Sequence, residues 1–168
     1  MSITSTAHLN FRGDARQALE FYHSVFGGQL VISTYGQFGV PQDDPNGGPA
    51  TFGPVDPDSP DAGHVAFGVV VGDNGFRVAA YDVFAATGGG IAGTSQETAR
   101  RASGLTHDEP FFMLLNGDTL DEISPLWDKL AEGATVIAAL PITPSTAPSY
   151  GMLTDRFAVT WIFGVTPN

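Results

Sequence analysis

The chain contains no cysteine. That excludes disulfides, thiolate nucleophiles and cysteine-based zinc sites, and leaves histidine, carboxylate, hydroxyl and main-chain chemistry. Positive charge is also scarce: Lys129 is the one lysine among seven basic residues, against eighteen acidic ones, for a formal net charge of -11 over 168 residues. Such a surface repels phosphate backbones and anionic lipid, so neither nucleic acid nor a membrane is an expected partner. No apolar run approaches the roughly 20 residues a membrane helix needs. The start, Met1-Ser2-Ile3-Thr4, has neither the basic nor the apolar part of a signal peptide, and a cytoplasmic location is the expectation. Phosphate and acyl-transfer signatures are missing too. Gly88-Gly89-Gly90 is not followed by a helix carrying Lys and Ser/Thr, and no Gly-x-Ser-x-Gly elbow occurs. The strand and glycine-rich turn of a nucleotide-binding methyltransferase are absent as well.

What is present points to a folded α/β chain of one domain. An apolar fraction of 42% with twelve Phe supplies a core, while 21 Gly and 12 Pro predict many turns and short elements. Ala15, Ala18, Leu19, Tyr22, Val25 and Phe26 recur at three- and four-residue spacing and form the apolar stripe of a helix over 14–26. Asp14 is its expected N-cap, with Gln17 as capping-box partner, and Gly27-Gly28 ends it. Strands are expected at Ala7–Phe11 and Gln29–Tyr35 on either side. The Pro, Gly, Asp and Asn of 36–63 read as one long loop. His64–Val71 and Phe76–Tyr81 then form a hairpin about Asp73-Asn74-Gly75. A helix from Val78 to Thr87 is the competing reading of the last segment.

The pattern then repeats. A strand starting at Phe111 leads to a helix with Ile123, Leu126, Trp127 and Leu130 inward, capped by Asp121 or Ser124, tolerating Pro125 near its first turn and ending at Gly133. Thr135–Leu140, a loop over 141–149, Tyr150–Leu153 and Thr160–Val165 complete a second β-α-β-β-β unit. Aligning Phe11-Arg12-Gly13-Asp14 with Leu115-Asn116-Gly117-Asp118, and the turn at Asp73 with that at Asp155, brings the units into register. Neither unit can bury both faces of its own sheet, so the units are expected to pair around a concave cleft.

At His8-Leu9-Asn10-Phe11, Ala18-Leu19-Glu20-Phe21-Tyr22, Val25-Phe26-Gly27-Gly28, Leu126-Trp127-Asp128-Lys129-Leu130 and the run from Tyr150 to Trp161, the chain resembles a known superfamily. This is the vicinal oxygen chelate superfamily of glyoxalases, extradiol dioxygenases and antibiotic-binding resistance proteins. Within it the chain looks most like the PhnB-like branch, often labelled demethylubiquinone methyltransferase-like. Ala158 stands where that branch usually has Gly. The resemblance implies an α+β fold of two βαβββ modules paired about a pseudo-twofold axis, with curved mixed sheets forming a cleft. It makes 1–168 one glyoxalase-like domain, with module 1 at about 4–84, a connector at 85–109 and module 2 at about 110–166.

Enzymes of the superfamily bind a divalent metal through side chains on the first and last strands of each unit. The resemblance puts His8 at one such position, and the other three fall near Phe112, near Ala79 or Ala80, and near Ile162 or Phe163. None of those can donate to a metal. No catalytic metal or other cofactor is therefore expected; if one is held, His8 and His64 are the candidate ligands, with Asp82 or Glu109. Both histidines can equally be strand residues satisfied by neighbours, His23 belongs to the helix surface, and His107 lies in a loop. Phe67, Phe112 and Trp161 are assigned to the cleft or the core. With His8 they make the candidate ligand-binding set, suited to a small apolar or aromatic molecule. The expectation is a metal-free, homodimeric small-molecule binder; the alternative is a metal-dependent lyase, isomerase or dioxygenase of the same superfamily. The residues leave open whether any reaction is catalysed.

Overall fold

A computed structural model of the chain describes residues 6–42, 51–83, 112–140 and 150–165. Glu109, His107, the glycine cluster at 88–90 and the 141–149 segment lie outside the described residues. The chain divides into two compact units, Met1–Gln96 and Glu97–Asn168. Each has a four-stranded mixed sheet with a twelve-residue helix packed on it.

The first unit opens with β1 (Ala7–Phe11), α1 (Ala15–Phe26) and β2 (Gln29–Thr34). After a short helix α2 (Tyr35–Phe38), a small antiparallel hairpin of β3 (Val40–Gln42) and β4 (Thr51–Gly53), and a 3-10 turn at Pro60–Gly63, it closes with β5 (Val65–Val71) and β6 (Arg77–Asp82). The described parts of 36–63 thus hold short elements where one loop was expected. These elements span only three or four residues, too few to show a hydrophobic period. Sheet order is β1-β6-β5-β2, with β1 parallel to β6 and the other pairs antiparallel. Because β6 runs through Asp82, the competing helix from Val78 does not form over the described part of that segment.

The apolar stripe of α1 is buried as its spacing predicts, from Ala15 to Phe26. Its cap differs from expectation. Asp14 occupies the N-cap position without a side-chain cap bond. The Asp82 carboxylate does that work instead: Oδ1 accepts from the N–H of Gly13 at 2.7 Å and of Ala15 at 3.1 Å, and Oδ2 from Val65 N–H at 2.9 Å. A carboxylate at a helix start satisfies orphan amides and opposes the positive end of the dipole. Periodicity carries no trace of a partner 69 residues away.

The second unit runs β7 (Met113–Gly117), α3 (Leu120–Ala131), β8 (Thr135–Ala138), β9 (Tyr150–Thr154) and β10 (Thr160–Val165), in sheet order β7-β10-β9-β8. Its helix is capped by Thr119, not by Asp121 or Ser124. Thr119 Oγ1 accepts from Glu122 N–H at 3.3 Å, and Glu122 Oε2 accepts from Asp118 N–H at 2.9 Å. The helix thus begins a turn earlier than its apolar stripe, and Pro125 lies inside it.

Strand pairing fixes the register of the repeat. Gly68 pairs with Ala80 in the first unit, as Gly151 pairs with Phe163 in the second. A Cβ on Gly68 would overlap Leu19 of α1, and one on Gly151 would meet Trp127 of α3 at 2.7 Å. At the shared glycine a side chain of the helix occupies the space a Cβ would need. On this register Leu9, paired with Ala80, corresponds to Leu115, paired with Phe163. The counterpart of His8 is then Leu114 rather than Phe112, two residues from the letter-matched alignment. The hairpin turns also coincide: Gly75 (φ 85°) corresponds to Ala158 (φ 64°).

Candidate functional site

Alternation along a strand gives each sheet a helix-covered face and a second face. In the first unit, Leu9 and Phe11 of β1, Gly68 and Val70 of β5, and Val78, Ala80 and Asp82 of β6 are buried on the α1 side. The other face carries His8, Asn10, Phe67, Val69, Ala79, Tyr81 and Val31.

A ring cluster stands on that second face. His8 stacks on Tyr81 with centroids 5.1 Å apart and planes 23° from parallel, and Phe67 lies tilted at 6.3 Å. Phe67 remains 42% exposed. Strand register explains the grouping: His8 is the cross-strand neighbour of Ala79, and Tyr81 follows Ala79 by two residues on the same face. The expected partners His8 and Phe67 are thus brought together, and Tyr81 joins them. Alternation in a parallel β1–β6 pair would have revealed Tyr81 from sequence, had that pairing been known.

Phe112 precedes β7 in the second unit and is 43% exposed. Leu114, Ile162 and Tyr150 mark the sheet face away from α3. Trp161 is instead a core residue, fully buried, with its indole N–H donating to Asp155 Oδ2 at 2.9 Å. Phe163, on the same helix-covered face as Trp161, packs edge-on against Trp127 of α3. Burial of the whole indole removes its face from any ligand.

His64 and His8 lie on opposite sides of the first sheet. His64 Nδ1 is 3.6 Å from Asp82 Oδ2, on the α1 side, while His8 faces Tyr81. Tyr35 joins the buried group, its O–H donating to the Asp82 main-chain carbonyl at 2.7 Å. Burial, with smaller contributions from Tyr81 and Asp82, pushes the Tyr35 hydroxyl up to about 12. Asp82 is thus spent on helix α1 and the start of β5, a structural role.

The three positions that match His8 on the registers above are Leu114, Ala79 and Ile162, none with a donor atom. Among the described residues, no group of three or more His, Asp or Glu side chains could hold a metal ion. These donors do not fit the divalent ion that the superfamily resemblance implies. No described helix is long and apolar enough to cross a membrane.

Residues 6–163 match the Glyoxalase/Bleomycin resistance protein/Dioxygenase superfamily. The chain belongs to that superfamily. Among solved structures, this glyoxalase-superfamily chain is similar to protein PA1353 from Pseudomonas aeruginosa, at 25% identity and a TM-score of 0.59, covering 99% of this chain and 100% of that one. A PhnB protein from Bacillus cereus is 20% identical, with a TM-score of 0.55 and coverage of 98% and 100%. The genomically encoded fosfomycin resistance protein FosX from Listeria monocytogenes shares the fold at 9% identity, a TM-score of 0.50 and coverage of 99% and 94%. No curated protein matches the chain.

Proposed function

We propose that this superfamily member binds a small, mostly apolar or aromatic molecule, and that it does so without a catalytic metal. The observation that carries the reading is the ring cluster of His8, Tyr81 and Phe67, left open on a sheet whose other face is filled by α1. Rings held by strand register lose little freedom on meeting a ligand, and stacked aromatic pairs contribute roughly 0.5–1.5 kcal/mol beyond burial. Phe112, exposed in the second unit, keeps its proposed ligand-contact role within that unit, while Trp161 supports its sheet from the core. The proposal includes a homodimer in the cytoplasm, supported by apolar side chains left exposed, such as Leu114 at 55% and Val136 at 48%.

Titration calorimetry of the full chain against indole, naphthol and benzyl alcohol tests the reading. Saturable binding at about one molecule per chain is expected, weakened about tenfold or more by Phe67→Ala, since truncated hot-spot side chains cost roughly 2 kcal/mol. Absence of heat from a folded protein would sink it. Elemental analysis tests the metal-free part: stoichiometric zinc, iron, nickel or manganese would favour the metal-dependent lyase, isomerase or dioxygenase instead. Light scattering tests the dimer, with twice the chain mass expected.

A further inference from the structure

We infer that the group recognised on the first sheet is a carboxylate, held by Arg77 and His8, with the ligand's apolar body on Phe67, Val69 and Tyr81. The inference rests on the binding reading above and adds the chemical class and orientation of the ligand.

Arg77, Ala79 and Tyr81 alternate onto one face of β6, and Arg77 is exposed. Arg77 lies two residues, roughly 6.6 Å, along the strand from Ala79. Ala79 pairs with His8 on one side and Val69 on the other, and Val69 pairs with Val31. Across the sheet this row reads His8, Ala79, Val69, Val31. Its one-carbon member, Ala79, is only 6% exposed although nothing from α1 covers that face. Ala79 is the shortest side chain of the row, so the proposed seat of the ligand is a dip over it, with His8 on one side and Val69 and Val31 on the other.

The polar heads around the dip are unspent. Among the described residues, Arg77 makes no hydrogen bond or ion pair, and the ring nitrogens and amide of His8 and Asn10 make no side-chain hydrogen bond. Asn10 pairs with Tyr81 in the next row, on the same face. Arg77 is a permanent cation with five N–H donors in a fork matched to a carboxylate, and imidazole and amide N–H groups add to it. On this face β1 and β6 present His8, Asn10 and Arg77 beside Ala79 and Tyr81, β5 presents Phe67 and Val69, and β2 adds Gln29, Val31 and Ser33. The donors of β1 and β6 next to the apolar groups of β5 suit an amphiphile with an acceptor head and an apolar body.

Net charge sharpens the argument. A chain of formal charge -11 opposes anions at long range. Beyond a Debye length of about 10 Å at 0.1 M salt that opposition is screened, so a preference for an acid over its neutral analogue must come from a cation within contact distance. Arg77 is the cation that β6 places on this face.

Phenylacetate and its neutral analogue phenylacetamide, titrated into the full chain, separate the possibilities. Phenylacetate is expected to bind about tenfold more tightly, the value of one charge-assisted contact of roughly 1.5 kcal/mol. Arg77→Met should remove that advantage, and Arg77→Gln should do the same without adding an apolar tip. Thermal unfolding of each variant verifies the fold, and Ala79→Phe, filling the dip, should abolish binding of both compounds. Equal affinity of acid and amide for the unaltered chain, or a preference that survives in Arg77→Met, overturns the carboxylate assignment and leaves the apolar-ligand reading intact. If neither compound binds but indole does, the carboxylate assignment alone fails; if no aromatic compound binds at all, the reading beneath it fails as well.

Discussion

The two units share one plan and are fastened differently. In the first, a buried carboxylate at the end of the last strand, Asp82, reaches across 69 residues to start α1 and also holds the beginning of β5. On the strand register the same position in the second unit is Val165, and α3 caps itself through Thr119 and Glu122. The buried carboxylate there is Asp155, whose Oδ1 accepts from Phe157 N–H at 2.9 Å and Val159 N–H at 3.0 Å while Oδ2 takes the Trp161 indole. One unit is stapled by a tertiary contact and the other by a turn. A βαβββ unit therefore needs its helix start satisfied and its last hairpin fixed, and either local or distant groups can do it.

If that contrast holds, Asp82→Ala has the largest effect. It strands two buried amides and one part-buried amide at once, at roughly 1–3 kcal/mol each, and should cost about 4 kcal/mol in denaturant unfolding. Asp155→Ala should come next, at about 3 kcal/mol, because a turn can relax to find water for part of what is lost. Reversal of that order would break the distinction between a distant and a local staple.

Alkaline titration sharpens the comparison, since Tyr35 belongs to the first unit's buried group. Its pKa is raised from 10.0 to about 12, so the unfolded chain gives up this proton first. The stabilisation from the neutral hydroxyl is complete below about pH 10 and is lost as pH climbs through about 12. Tyr35→Phe should lower stability by about 1 kcal/mol near neutrality and flatten the alkaline decline. Equal declines in both proteins would contradict this, as would an ordinary tyrosinate absorbance titration for every tyrosine.

A change of similar size should be a gain. Ala158, at φ 64°, is the only described non-glycine residue with positive φ, and its counterpart Gly75 bears no such strain. Ala158→Gly should stabilise the second unit by about 1 kcal/mol, the usual cost of a left-handed residue with a Cβ. A loss would mean that the unfolded chain's extra freedom outweighs relief of strain.

Much of the fold was legible. The helix over 14–26 emerged from its stripe and closing glycines, and its observed span, Ala15–Phe26, agrees. Strand β10 matches its expected bounds, Thr160–Val165, because β-branched and aromatic residues were bounded by a turn. The helix caps were not legible, since Asp14 and Asp121 are good local candidates while the groups used were a distant Asp82 and an earlier Thr119. The repeat was visible but its register was not: matching Gly-Asp letters placed Phe112 opposite His8, whereas the glycines beneath the helices set Leu114 there. Of the candidate site, His8 and Phe67 stand together, and Trp161 proved to belong to a core, where its N–H is held by Asp155. The run from Tyr150 to Trp161, one of the segments that carry the family likeness, is explained by folding. Gly151 admits Trp127, Asp155 ties the turn, and Arg156 donates to the Glu132 carbonyl at 2.6 Å, closing the end of α3.

By itself the sequence determined the class of chain: two βαβββ units, free of cysteine chemistry. Those properties are written in composition, period and local turns, which depend on near neighbours in the chain. Tertiary structure alone decided which side of a sheet each residue occupies. The parallel pairing of β1 with β6 put His8 against Tyr81, set Ala79 beside them, and sent Asp82 to the opposite face. A one-residue change in that register would exchange the two faces.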